Sequence, residues 1–97
     1  MLKDAQEAVR KISGDYHKKN VTTSAFFHSL IAEQLGQVAH AYMHEGRMAK
    51  SIEVDIVDVI LCSLAYLNWL DKDASAALEK SLEKHKRAIE KWKRERR

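Results

Sequence analysis

Proline is absent from this 97-residue chain, glycine occurs three times and cysteine once. Without proline and with few glycines, long helices can run with few interruptions. The single cysteine, Cys62, excludes a disulfide within the chain and fits a reducing compartment. No N-terminal stretch combines a basic start, an apolar run and a small-residue cleavage site, so we expect a cytoplasmic protein.

Long uninterrupted hydrophobic runs are also missing. The most apolar stretch contains Asp55 and Asp58 and ends near Asn68 and Asp71, which makes it too polar for a bilayer span of about 20 residues. We therefore predict no transmembrane helix and no membrane partner. With 45% hydrophobic residues, the chain has enough apolar material for one small core, so we predict a single all-α domain over residues 1–97.

Basic charge is concentrated near the carboxyl end. Residues 79–97 hold nine Lys or Arg against four Glu, whereas residues 1–78 hold eight Lys or Arg against ten acids. Cations are favourable at a helix C-terminus, so we interpret 91–97 as a basic helix end. Binding of nucleic acid through this tail is an alternative, but it has no recognisable motif beyond basicity, and we expect no nucleic-acid partner.

Helical periodicity runs through nearly the whole chain, and the breaks predict four helices. Glycine suits a left-handed cap at the end of the first helix, and Ser, Thr and Asp suit the starts of the others. The first predicted helix covers about residues 2–13 and is closed by Ser13-Gly14. The second runs from Thr22, Thr23 or Ser24 to about His44 and ends near Gly46. The third runs from Ser51 to about Leu70, and the fourth begins at Asp73 or Ser75.

The third and fourth helices differ in their apolar pattern. The third has apolar residues in nearly every direction and is expected to be buried on most sides. Three other helices would hardly cover it, so we predict a homodimer or homotetramer. The fourth carries an apolar seam and is expected to be a packing helix; the seam comprises Leu78, Leu82, Ile89 and Trp92, with His85 between them. Gly36, within the second helix, would be explained by close approach of another backbone.

Two carboxylates, Asp55 and Asp58, lie three residues apart inside the third helix, which places them on one face. In an apolar setting two acids repel each other and lose hydration, so a cation, a basic side chain or a shared proton must compensate. The alternative for Asp55 is a favourable interaction with the positive end of the helix dipole. Asp58 lies deeper in the helix and is less easily explained that way.

The second helix carries a polar stripe that includes Glu33 and Gln37, four residues apart. If the second and third helices pack antiparallel, Glu33 and Gln37 approach Asp55 and Asp58. Carboxylate and amide oxygens would then form a site suited to Mg²⁺ or Mn²⁺.

The residues Ala-Glu-Gln-Leu-Gly-Gln-Val-Ala at 32–39, followed by Asp-Ile-Val-Asp at 55–58, resemble the MazG-like family of nucleotide pyrophosphohydrolases. That all-α family carries Glu-Glu-x-x-Glu on one helix and Glu-x-x-Asp on the next. The first motif falls on Glu33, Gln34 and Gln37, and the second on Asp55 and Asp58. The resemblance covers about residues 25–88 and implies a four-helix subunit that assembles into a helical-bundle oligomer.

The resemblance also implies an activity, namely cleavage of a nucleoside triphosphate into a monophosphate and pyrophosphate with Mg²⁺ or Mn²⁺ as cofactor. Glu33 then falls at the position of a catalytic base or ligand, and Gln37, Asp55 and Asp58 complete the metal ligands. Asn68 matches an asparagine found near the nucleotide in the family. Lys84, next to His85, lies where the family often has Lys-Asn and is a candidate phosphate contact, with a solvated lysine as the favoured alternative.

Three positions depart from the family pattern, because Gln34 and Gln37 are amides and Asp55 replaces Glu. Glutamine keeps an oxygen but removes the charge, so we expect weaker Mg²⁺ binding than in the family. The alternative function is a non-catalytic helical oligomerisation or regulatory module that retains the fold.

A few other side chains have two interpretations each. His40 and His44 are spaced to chelate a transition metal, but the rest of such a site is missing from the sequence, which favours exposed histidines. Cys62 is interpreted as a small buried hydrophobe and Trp69 as packing in a core or an interface, with a reactive thiol and base stacking as the alternatives.

Overall fold

A computed structural model describes residues 2–14, 22–45 and 52–96, with the backbone alone at residues 41, 42, 44 and 45. The described segments form four helices: α1 Leu2–Ser13, α2 Ser24–Glu45, α3 Ile52–Trp69 and α4 Ala74–Glu95. The prediction of an all-α fold is confirmed for these residues. None of their helices is long and apolar enough to cross a membrane.

Helix ends follow the capping residues that the sequence offers. Gly14 ends α1 with a φ of +56°. Thr23 is the cap of α2, because its Oγ1 accepts a hydrogen bond from the Phe26 amide at 3.3 Å. Asp73 caps α4 by accepting from the Ser75 amide at 3.1 Å. The predicted signals at Gly46 and Ser51 lie outside the described residues.

Helices α2 and α3 pack antiparallel, with the start of α2 beside the end of α3. Phe27 is 2% exposed and stacks on Tyr66, with ring centroids 5.3 Å apart and an interplanar angle of 4°. Trp69 lies 5.8 Å from Phe27 and completes this aromatic cluster. Trp69 is therefore a packing residue, as interpreted from the sequence.

Helix α1 crosses the C-terminal half of α3 and the start of α4. Its Val9 forms a small core with Leu64 and Ala74. Next to this core, Gln6 Nε2 donates to the Lys72 carbonyl at 2.7 Å, and Gln6 Oε1 accepts from the Ala74 amide at 3.0 Å. One side chain thus joins α1 to the turn between α3 and α4.

The same face of α3 is open beyond the end of α1. Leu64 and Asn68 are 4% and 1% exposed, whereas Val57 and Leu61, two turns and one turn before Leu64 on this face, are 45% and 40% exposed. A 12-residue α1 spans about 18 Å and an 18-residue α3 about 27 Å, so α1 is too short to cover α3. Within one chain α3 is therefore only partly covered, as expected for a helix that three other helices would hardly cover, and its burial in an oligomer stays a prediction.

Helix α4 is exposed from residue 76 onward, and its main contact is with α1. The expectation that α4 is a packing helix is wrong within one chain, because its seam residues Leu82 and Trp92 are 59% and 54% exposed. The radius of gyration, 16.2 Å, exceeds the roughly 13 Å of a compact domain of about 100 residues.

The close approach of another backbone that would explain Gly36 is not found among the described residues, because a Cβ built at Gly36 meets nothing within 4 Å.

Candidate functional site

The polar stripe of α2 is divided between two directions. Phe27, Ile31, Gln34 and Val38 recur at helical spacing and are buried or half-buried, so Gln34 lies on the face that packs against α3. Glu33 and Gln37 are exposed on a neighbouring flank of α2. Of the two amides that replace acids of the MazG-like motif, one is therefore at the helix contact and one is outside it.

Asp55 and Asp58 are half-buried and lie on the side of α3 that faces α2. Asp58 precedes Cys62 and Tyr66 by one and two helical turns, and Tyr66 stacks on Phe27 of α2. Asp55 precedes Asp58 by three residues and shares that side. Helix geometry thus directs both acids toward the second helix, as the antiparallel arrangement predicts.

Cys62 reports how close the two helices bring their acids. Its pKa is raised, mainly because the thiol is partly buried, and then because the negative charges of Asp58 and Glu33 disfavour a thiolate. Asp58 belongs to the same helix as Cys62, but Glu33 belongs to α2. The two carboxylates therefore lie on the two sides of the α2–α3 contact and act on the same sulfur atom.

An apolar groove of about 210 Å³ has Cys62 in its lining. It lies where the C-terminal end of α1 meets α2 and α3, and it merges with a second groove beneath Phe26 and Phe27. The first groove is lined by Val9, Ile12, Ser13, Leu30, Leu61, Cys62 and Ala65. Cys62 thus lines an apolar groove and is also influenced by the charges of Asp58 and Glu33.

The donor chemistry fits a hard divalent cation, because Glu33, Asp55 and Asp58 offer carboxylate oxygens and Gln37 an amide oxygen. Among residues 2–14, 22–45 and 52–96, however, no three His, Cys, Asp or Glu side chains come close enough together to hold a metal ion. Mg²⁺ is usually bound by one or two carboxylates together with substrate phosphates and water. Glu33 and Asp58 are the two carboxylates that would have to meet that smaller requirement.

The two candidate nucleotide contacts lie in different surroundings. Asn68 is 1% exposed; its amide nitrogen donates to the Gln6 carbonyl at 3.1 Å, and its oxygen accepts from Arg10 at 3.1 Å. Lys84 is exposed on α4. Asn68 thus has a structural role in the subunit, and a role for either residue in nucleotide binding stays a prediction.

Two polar clusters were not anticipated from the sequence. The first is the link from Gln6 to Asn68 and Arg10, which a glutamine on the apolar stripe of α1 could have indicated. The second is at the start of α2, where His28 Nε2 is 2.9 Å from Tyr66 Oη and Ser24 Oγ is hydrogen-bonded to the same hydroxyl. No local spacing reveals that second cluster, because Tyr66 comes from α3.

The histidines proposed as a metal pair are only partly described. His40 is exposed on α2, and the side chain of His44 lies outside the described part of the structure.

Comparison with protein-family models, curated proteins and solved structures gave no match to this chain.

Proposed function

We propose that the chain is a MazG-like, metal-dependent nucleoside triphosphate pyrophosphohydrolase whose activity is weakened by the loss of two acids. The observation that carries the proposal is the effect of both Glu33 and Asp58 on the Cys62 thiol. These are acids that the motif places on different helices, and in the antiparallel packing of α2 and α3 both are near enough to Cys62 to raise the pKa of its thiol. The acting unit is a homodimer or homotetramer.

In this proposal Asp55 and Asp58 face the phosphates from α3, and Glu33 faces them from α2. Glu33 is exposed and can accept a proton from the water that attacks the α-phosphorus. The bond between the α-phosphorus and the bridging oxygen breaks, and pyrophosphate leaves. Glu33, Gln37, Asp55 and Asp58 are the residues that would hold Mg²⁺, which when bound would neutralise charge at the phosphate oxygens.

The apolar groove beside Cys62 supports a nucleotide rather than a simple phosphate compound as the substrate. A base has an apolar face that needs cover, and the groove next to the two acids is lined mostly by aliphatic side chains. Phosphates near the acids and a base in the groove would occupy both parts of the site.

The test is pyrophosphate release from a panel of nucleoside triphosphates, measured with Mg²⁺ and then with Mn²⁺. We expect slow release that Asp58→Asn abolishes. The matched control is Glu90→Gln, which removes an exposed acid from α4, far along the sequence from the motif, and should leave the rate unchanged. Equal rates in Asp58→Asn and the parent protein would contradict the assignment of the site.

The second candidate is a non-catalytic oligomerisation or regulatory module. It is favoured by the exposed apolar side chains of α3 and α4 and by the lack of a three-residue metal group among the described side chains. If no nucleotide is cleaved and neither Mg²⁺, Mn²⁺ nor a nucleotide raises the melting temperature, this candidate is correct, because a ligand that binds only the folded state stabilises it.

A further inference from the structure

Two apolar surfaces have no cover among residues 2–14, 22–45 and 52–96. The first, here called the α3 stripe, comprises Val54, Ile56, Val57, Ile60 and Leu61, each between 40% and 56% exposed. The second, the α4 seam, comprises Leu78, Leu82, Ile89 and Trp92, each between 44% and 59% exposed. Monomeric proteins rarely expose large contiguous apolar patches, so two of them on one small chain call for a partner.

Charge differs in sign between the helices that carry these surfaces. Helices α2 and α3 contain five acidic residues and no Lys or Arg. Helix α4 contains seven Lys or Arg and four Glu. Two copies of α3 facing each other would bring acid against acid, and two copies of α4 would bring together helices of the same positive net charge. A contact between α4 of one copy and α3 of another joins opposite charges.

The seam of α4 has the spacing needed to pack on another helix. Its apolar residues and His85 follow one another by alternate steps of four and three residues, which is the spacing of a helix–helix seam. Lys86 and Lys93 flank the seam on one side, and both are exposed. On α3, Glu53 is exposed at the N-terminal end of the stripe and would meet such cations.

We propose that α4 of one copy packs along the α3 stripe of a second copy, and that the second copy returns the same contact. A two-fold axis then makes both contacts equivalent and covers both apolar surfaces at once. The inference rests on the oligomer included in the proposed function but not on nucleotide cleavage. It names the surface that each copy supplies.

The balance of charges on α4 favours a protein partner over an anionic membrane. Its four Glu are interspersed among its Lys and Arg residues. Two ion pairs lie along the helix, Arg87 with Glu83 at 3.8 Å and Lys91 with Glu95 at 3.9 Å. A helix that binds anionic lipid typically presents Lys and Arg on its polar face. Four acids on α4 would weaken that attraction, whereas the acidic α2–α3 pair attracts the net positive helix.

The experiment mixes two variants that are each damaged on one surface. Leu82→Asp with Ile89→Asp damages the α4 seam, and Val57→Asp with Ile60→Asp damages the α3 stripe. All four positions are about half-exposed in the single chain, so the subunit core is unaffected. Each variant alone should sediment as a monomer at a micromolar concentration at which the parent protein is a dimer or larger.

Mixing the two variants in equal amounts should restore a heterodimer, detected by native mass spectrometry. The mixed pair keeps one undamaged contact, between α4 of the stripe variant and α3 of the seam variant. If the natural contacts were α4 with α4 or α3 with α3, every contact in the mixture would include a damaged surface. A mixture that stays monomeric therefore overturns the α4–α3 contact.

The remaining outcomes separate this inference from the proposed function. A monomeric parent protein would overturn both the contact and the oligomer, and a monomer that binds vesicles containing phosphatidylserine would assign α4 to a membrane. Lys80→Asp, on the face of α4 opposite the seam, is the control and should keep the parent's oligomeric state. If circular dichroism shows that the Asp variants lose helix, Leu82→Gln and Val57→Thr replace them in the same mixing test.

Discussion

At the scale of single residues, the site depends on the difference between a carboxylate and an amide. The negative charges of Asp58 on α3 and Glu33 on α2 both raise the pKa of the Cys62 thiol, after the larger effect of its burial. Gln34 lies on the packing face of α2, where an amide can be buried at less cost than a charge. The replacement of acids by amides thus lowers the repulsion between the helices and also weakens any attraction for a cation.

Restoring both acids by Gln34→Glu with Gln37→Glu should change stability in opposite directions with and without metal. In chelator the double variant should melt below the parent protein, because five acids then crowd one region. On addition of Mg²⁺ it should gain more, because each added carboxylate attracts the same ion. Ser29→Glu with Ala32→Glu adds the same charge on the outer side of α2 and serves as the control. Equal responses to Mg²⁺ in the double variant and the parent would show that these residues do not face a common cation.

The reactivity of Cys62 measures the approach of Glu33 directly. The raised pKa keeps the thiol protonated, so Glu33→Gln should lower that pKa and speed alkylation by iodoacetamide at about pH 8, near the ordinary pKa of a thiol. Glu53→Gln removes an acid of α3 that does not act on the sulfur and should leave the rate unchanged. If Mg²⁺ binds Glu33 and Asp58, Mg²⁺ together with a nucleotide should also speed alkylation by neutralising them. An unchanged rate in Glu33→Gln would place the two helices in a different register.

At the scale of helices and turns, hydrogen bonds of Gln6 connect α1 to the end of α3 and to the start of α4. Leu67 and Asn68 accept the amides of Lys72 and Asp71 at 2.9 and 3.1 Å, which closes α3 with Asp71 at a φ of +58°. The Gln6 side chain donates a hydrogen bond to the Lys72 carbonyl and accepts one from the Ala74 amide, just after this turn. These hydrogen bonds add to the apolar contacts of Val9 in holding α1 on α3 and α4.

Gln6→Ala should lower the free energy of unfolding by about 1–3 kcal/mol, because the Ala74 amide and the Lys72 carbonyl lose their partner in a buried place. Urea denaturation at a fixed protein concentration measures the change. The control is Lys11→Ala, an exposed position on the same helix, with an expected change within about 0.5 kcal/mol. A loss in Gln6→Ala no larger than in the control would mean that water replaces the link without cost.

At the scale of the whole molecule, the subunit has more apolar surface than its own helices can cover. The α3 stripe and the α4 seam are both about half-exposed, and the radius of gyration is 16.2 Å. We expect a dimer or tetramer by sedimentation at micromolar concentration, with a large apolar interface. Dilution should dissociate it and lower the melting temperature, because association stabilises only the folded chain. A well-folded monomer with a melting temperature independent of concentration would contradict this architecture.

Local patterns were sufficient to predict the helices. Few glycines and no proline leave few places for a helix to end, and Gly14, Thr23 and Asp73 act through their own backbone and side-chain chemistry within a few residues. The direction of Asp55 and Asp58 also followed from spacing, because residues three or four apart share a face of a helix. Such properties depend on short-range geometry, which the order of residues determines.

Tertiary structure decided what the helices cover and which polar groups meet. Val57 and Leu64 repeat the same apolar pattern on one face of α3, yet one is exposed and the other buried, because α1 ends between them. Gln6 and Asn68 are 62 residues apart in the sequence, and only the tertiary packing of α1 on α3 brings them within hydrogen-bonding distance. The sequence by itself determined four helices and the residues on each face; the lengths and crossing of those helices decided which faces were left for a partner, since burial depends on what lies opposite a side chain rather than on its own hydrophobicity.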